Sequence, residues 1–194
     1  MDKKLFTQAI DAFDFANSKD PNFIEINGFE KPYELIYANW LYEWVMKLNP
    51  NASEELQLAA KCQHIKRWEI PRSKYPEGLK GYTKWKKELA EYHAEEASKI
   101  LKEVGYKEAV IERVRSINLK KNLKADTDVQ TMEDALCLVT LQYQIEGFSL
   151  KHDDEKMIGI IQKTWAKMSD RAKEEALKLT YSERVLSLIK KAIA

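Results

Sequence analysis

At 194 residues the chain has the length of one domain and can bury a core without disulfide staples. Its composition, 44% hydrophobic and 32% charged with six glycines and five prolines, favours helices over strands and leaves no apolar run long enough for a membrane span. The net charge of +1 excludes a uniformly basic surface, but the charge is uneven: residues 61–87 hold nine basic and two acidic residues, residues 1–60 five basic and ten acidic.

The elements follow from hydrophobic spacing. Phe6, Ile10 and Phe13 mark a first helix that stops before "NSKDPN". The stretch 21–31, "PNFIEINGFEK", reads as a loop hinged at Gly28. Pro32 suits the first turn of a helix whose stripe is Ala38, Leu41, Val45 and Leu48. Ser53 caps the next helix, with Glu54 and Glu55 in its first turn and Leu56, Ala59, Ala60 and Gln63 on one face. Pro71 and Pro76 then break the chain into an irregular connector. A long helix from about Tyr82 to Val104 carries Leu89, His93, Ala97, Ile100 and Val104, and Gly105 ends it. Helices over about 107–119 and 128–147 follow, and two or three more over 153–194 read as amphipathic cover, with Trp165 and Met168 turned to the core. Residues 1–194 read as a single all-α domain. Cys62 and Cys137 sit inside apolar helical patterns, and no leader or lipidation signal is evident, which points to a cytoplasmic protein.

Polar residues on apolar stripes are the informative anomaly, because buried carboxylates and imidazoles need a partner, a hydrogen bond or a metal. His93 falls in the middle of the Leu89–Ala97 stripe with Glu96 one turn on, and Asp134 aligns with Leu138, Leu141 and Ile145. Gln130 lies one turn before Asp134, Glu34 precedes Ala38 and Leu41, and His64 follows Ala60 with Gln63 beside it. Each alone is more often a satisfied core residue than a ligand. The basic connector then sets Arg67, Arg72 and Lys74 around Trp68 and Tyr75.

The runs "QHIKRWEIPRSKYPEGLKGYTKWKKEL", "YHAEEASKIL" and "QTMEDALCLVTL" are similar to the family called domain of unknown function 4202, over roughly Phe6 to Met168. More distantly, the order of elements resembles the HD superfamily of metal-dependent phosphohydrolases, which are helical bundles. There, "LQLAAKCQHIKRW" resembles the helix that ends in His-Asp, with Gln63-His64 in its place. Asp134 stands where the last aspartate is expected, Glu34 where a first histidine is expected, and Lys120 near a position that holds a further histidine in some members. That resemblance implies a divalent metal (Mn, Fe, Zn, Ni or Mg) on Glu34, His64, His93 and Asp134, or a polar pocket that has lost it.

Three functions compete. In the first, a metal-dependent phosphoester hydrolase acts on a nucleotide or other small phosphorylated molecule. Gln63, Arg67, Trp68, Arg72, Lys74, Tyr75 and Gln130 then bind the substrate, and Glu96, Glu133 and Lys120 serve the chemistry. In the second, segment 61–87 with Trp68, Tyr75, Tyr82 and Trp85 binds nucleic acid without catalysis. The third is a helical interaction protein with a satisfied polar core and a protein partner.

Overall fold

The computed structural model describes residues 2–194. Ten helices are laid down in order: α1 (Lys3–Asn17), α2 (Tyr33–Leu48), α3 (Glu54–Cys62), α4 (Gly78–Val104), α5 (Glu108–Asn118), α6 (Thr127–Val139), α7 (Ile145–Ser149), α8 (Asp154–Trp165), α9 (Asp170–Leu177) and α10 (Glu183–Ile193). α2 packs on α3 and α6, α4 on α5 and α1, and α8 on α10. One apolar cluster joins them, running from Ala9 and Phe13 through Leu41, Leu56, Leu101 and Leu138 to Leu188 and Ile189. The all-α reading holds.

The helix ends obey their local signals. Asp2 caps α1 by accepting from the backbone N–H of Lys4 and Leu5, and Ser53 Oγ accepts from Leu56 N–H at 3.1 Å to start α3. α4 stops at Gly105, whose φ of 104° is readily adopted only without a Cβ. It starts earlier than its apolar stripe suggests, at Gly78, because residues 78–80 are solvent-facing and lie outside that stripe.

One element departs from the sequence reading. Residues 21–31 are not a plain loop: β1 (Phe23–Ile26) and β2 (Phe29–Pro32) form an antiparallel hairpin, with Ile26 opposite Phe29. The turn is Asn27–Gly28, with φ of 52° and 80°. Two successive left-handed residues match the twist of the strands, and Asn-Gly is the dipeptide that adopts them most readily. The hairpin delivers the chain straight into α2. Pro32 offers no side-chain cap, so the buried Asp20 supplies one: its carboxylate accepts from Glu34 N–H at 2.9 Å while its other oxygen holds Asn22.

The region read as a helix over 128–147 is continuous but irregular. α6 passes into a π turn at Thr140–Gln144 and then into α7. Such turns add a residue to the helix and are frequent at functional sites. No helix among the described residues is long and apolar enough to cross a membrane.

Candidate functional site

A cavity of about 470 Å³ opens between the start of α2, the bend after α3, the first half of α4, the end of α5, the π turn and the chain after α8. Its position follows from two local events. Ala59 and Ala60 let α3 approach its neighbours closely, and the helix ends at Cys62. Lys66 then turns the backbone at φ 50°, its N–H held by Asn17 Oδ1 at 3.1 Å, which leaves Gln63, His64 and Arg67 on the cavity wall.

His93 comes to the same wall from the buried stripe of α4. Its Nδ1 donates to the Ile65 carbonyl at 2.7 Å, and its Nε2 is buried without a partner. Burial pushes the imidazole down to about 4, against the pull of that hydrogen bond. His64 lies 5.7 Å from it, ring centre to ring centre, and stacks on Tyr37 at 4.4 Å. Burial first, then Arg67 and His93, keep His64 well below the ordinary histidine range. Both rings are therefore neutral at pH 7.

Glu34, only 4% exposed, stands 3.7 Å from His64 Nδ1 through Oε2 and 3.7 Å from Arg67 Nε through Oε1. Neither approach is a hydrogen bond. Burial raises its carboxyl to about 8, with Arg67 opposing and Asp20 adding to the rise. Between the ordinary value of 4.5 and about 8 the folded chain keeps a proton on Glu34 that the unfolded chain has released. The stabilisation from that proton is full below the lower value and is lost as pH rises through the upper one. Glu34→Gln, which keeps the shape and cannot ionise, should therefore lose about 2 kcal/mol less stability than the wild type between about pH 6 and about pH 9. Thermal unfolding at the two pH values checks this, and parallel losses would count against a protonated Glu34.

Cations dominate the rest of the wall. Glu133, 2% exposed, pairs with Lys120 and, at 3.4 Å, with Lys167. Burial would raise its carboxyl, but the two lysines together hold it below its ordinary value. Lys86 also lines the cavity, and burial, then the charges of Lys120 and Lys167, lower its pKa. Arg67 completes the set with its guanidinium 5.1 Å over the Trp85 ring. With Glu34 protonated, four cations face one ionised carboxylate. Lys120 reaches its place from a left-handed turn after α5, with φ 55°, a conformation a residue with a Cβ adopts at a cost of roughly 1 kcal/mol.

The sequence candidates divide by position. Glu34, Gln63, His64, Arg67, His93, Lys120 and Glu133 line this cavity. Asp134 does not: its oxygens accept from Ser169 N–H at 2.8 Å and Ser169 Oγ at 2.5 Å, and from Gln130 at 2.9 Å. Gln130 also donates to the Lys167 carbonyl, so it braces the backbone rather than the cavity. Glu96 is engaged by Lys66 at 2.7 Å and Lys99 at 2.6 Å. Trp68 and Arg72 border an adjoining groove of about 440 Å³ that shares Glu34, Arg67 and Trp85 with the cavity. There Arg72 donates to the carbonyls of Tyr75 and Pro76, Tyr75 donates its hydroxyl to Glu88, and Lys74 is exposed. Among the described residues no group of three or more His, Cys, Asp or Glu side chains is placed to hold a metal ion.

Several cavity residues went unread in the sequence, among them Lys86, Asn118, Tyr37 and Lys167. Lys86 lies three and seven residues before Leu89 and His93 on α4, a spacing that was legible. Asn118, Tyr37 and Lys167 carry no local signal of that kind; they reach the cavity through tertiary packing.

Among known proteins, the model of a family described as Domain of unknown function (DUF4202) matches residues 7–189. No curated protein and no solved structure matches the chain.

Proposed function

The chain belongs to the DUF4202 family, and from its cavity we propose that it binds a small phosphorylated molecule. The observation that carries this reading is the charge of the wall: Arg67, Lys86, Lys120 and Lys167 against an ionised Glu133. Like charges gathered in a partly enclosed space repel one another, and an anionic occupant relieves that repulsion. A phosphate monoester supplies two charges and several acceptor oxygens, which suits lysine as a point charge and arginine as a two-pronged donor. Trp85 beside Arg67 provides a fluorescent reporter within the wall.

The placement of the aromatic residues favours a cavity ligand over nucleic acid. Trp85 is 9% exposed, and its indole N–H is held by the Ile70 carbonyl at 2.9 Å. Tyr75 is tied through its hydroxyl to Glu88 and Arg72 to two carbonyls, and Tyr82, at 44%, is the one largely exposed ring of segment 61–87, which gives base stacking a single open platform rather than a row. Titration of the protein with phosphate monoesters, followed by calorimetry and Trp fluorescence, tests the proposal. Saturable binding with modest salt dependence supports it. No binding at millimolar ligand, or steeply salt-dependent binding of RNA or DNA alone, overturns it.

A second reading, metal-assisted hydrolysis of the same phosphoester, draws on Glu34 Oε2 and His93 Nε2, both buried without hydrogen-bond partners, beside His64. A divalent ion held there would supply an activated water and polarise the phosphoryl oxygen. The three side chains would have to draw closer than they stand, and Asp134 would have to leave Ser169 to make a fourth ligand. On this reading protein purified without chelator carries near-stoichiometric Mn, Fe, Zn or Ni, and both His64→Ala and His93→Ala lose it. Elemental mass spectrometry decides the matter, and metal-free protein after reconstitution would leave binding as the function.

A further inference from the structure

We propose that the groove beside the cavity is a second anion subsite, so that the ligand carries two anionic groups on one frame: a phosphate in the cavity, and a second phosphate or a carboxylate in the groove. This rests on the phosphate-binding reading above and adds the far end of the same ligand.

The two hollows are continuous. Glu34, Arg67 and Trp85 line both, so they stand where the hollows meet. Lys86, Lys120 and Lys167 line the cavity alone, and Trp68, Pro71 and Arg72 line the groove alone. Arg67 is the cation at the join. Its side chain is 33% exposed, its guanidinium lies 5.1 Å over the Trp85 ring, and its Nε stands 3.7 Å from Glu34 Oε1, too far for a hydrogen bond. No described residue accepts from that guanidinium, so its fork of N–H groups is open to a ligand on either side.

The groove is cationic in its own right. Arg72 is fixed at its border by bonds of 2.8 Å to the carbonyls of Tyr75 and Pro76, and it has further N–H groups to offer. The indole N–H of Trp68 is engaged by no described residue. Arg67, Trp68 and Arg72 are all partly open to solvent, so a molecule in the groove can reach them. Among the described residues Glu34 is the one acidic side chain on the groove, and a single carboxyl does not offset two guanidiniums. A neutral group placed there would desolvate both arginines without pairing them, whereas an anion accepts from their two-pronged donors. The phosphate that meets Lys120 and Lys167 occupies the cavity, so the groove calls for a second group.

The test is calorimetry on the wild type with linear alkyl phosphates of increasing chain length, each beside the bisphosphate and the ω-carboxyalkyl phosphate of the same length. At one length a doubly anionic member should bind about 10- to 100-fold tighter than its monophosphate, the range for hydrogen bonds to a charged group. That gain should pass through a maximum, because a tethered second group gains most when its span matches the two sites, whereas unspecific attraction between charges shows no preferred length. Which of the two ligands gains tells which anion the groove takes. Arg72→Gln should abolish most of the gain and leave monophosphate affinity within about threefold, which also reports that the variant is folded. If neither series gains at any length, or if Arg72→Gln leaves the gain intact, the second subsite is overturned while the phosphate reading stands. If no ligand binds, the phosphate reading falls, and this inference with it.

Discussion

Replacing Lys120 by methionine should weaken phosphate monoester binding by about 10- to 100-fold, the range for one hydrogen bond to a charged group. The same substitution removes a partner from Glu133, which is 2% exposed and keeps its charge in the folded state because Lys120 and Lys167 offset burial. A carboxylate whose folded pKa is depressed contributes stability above its unfolded pKa and loses that contribution as pH falls. Without Lys120 the neutral-pH contribution shrinks, since only Lys167, at 3.4 Å, remains. A stability loss of about 2 kcal/mol is expected, below the usual figure for breaking a buried pair because one partner is left and Lys120 is partly solvated. Lys120→Gly separates the two effects. It removes the same ammonium but relieves the φ of 55°, so it should match the methionine variant in lost binding while losing about 1 kcal/mol less stability. Calorimetry with chemical denaturation measures both, and unchanged affinity in both variants would remove Lys120 from the ligand.

The largest stability effect is expected at Asp134. Its carboxylate, 4% exposed, receives three hydrogen bonds: two from Ser169, which itself caps α9 through Ala172 N–H at 3.3 Å, and one from Gln130. This one side chain thus ties α6 to the start of α9. Asp134→Ala leaves the part-buried backbone N–H and the hydroxyl of Ser169 without this acceptor, while Gln130 keeps its bond to the Lys167 carbonyl, and the expected loss is about 3 kcal/mol. In a chain of this size that lowers the melting temperature by roughly 10 °C. The folded fraction should still bind phosphate monoesters within about threefold of the wild type, because Asp134 is not on the cavity wall. Loss of binding or of a bound metal at unchanged stability would be the signature of a ligand instead.

Asp134 also marks the limit of what the sequence discloses. Its place on the buried face of α6 was legible from the spacing to Leu138 and Leu141, as His93 was from Leu89 and Ala97. What meets a buried polar residue is a tertiary fact. Ser169 lies 35 residues on, and no periodicity connects the two. Glu133, one position away and about 100° around the helix, is the residue that reaches the cavity. The basic run misleads in a similar way. Of the nine basic residues in 61–87 only Arg67 and Lys86 line the cavity, while Lys120 and Lys167 arrive from segments whose charge is nearly balanced. Local charge density counts residues, whereas a site selects by direction. Helix boundaries fared better, since Ser53 and Gly105 act within one turn of themselves. The hairpin's four-residue strands carry little weight beside long helical patterns, and its Asn27–Gly28 turn was the signal that could have found it.

The π turn at Thr140–Gln144 makes chain length itself a structural variable. Gln142 accepts from the Trp44 indole at 2.8 Å and Gln144 donates to the Tyr33 hydroxyl at 2.7 Å, so two side chains about 200° apart on a regular helix both serve α2. Deleting any one residue here would make the backbone ladder more regular and rotate everything beyond it by about 100°. Gln144 and Phe148 would then swing off the cavity wall even where the deleted residue, such as Gln142, is not itself on it. In this segment an insertion or deletion acts as a change of phase, and homologous chains that keep the cavity are expected to keep the count.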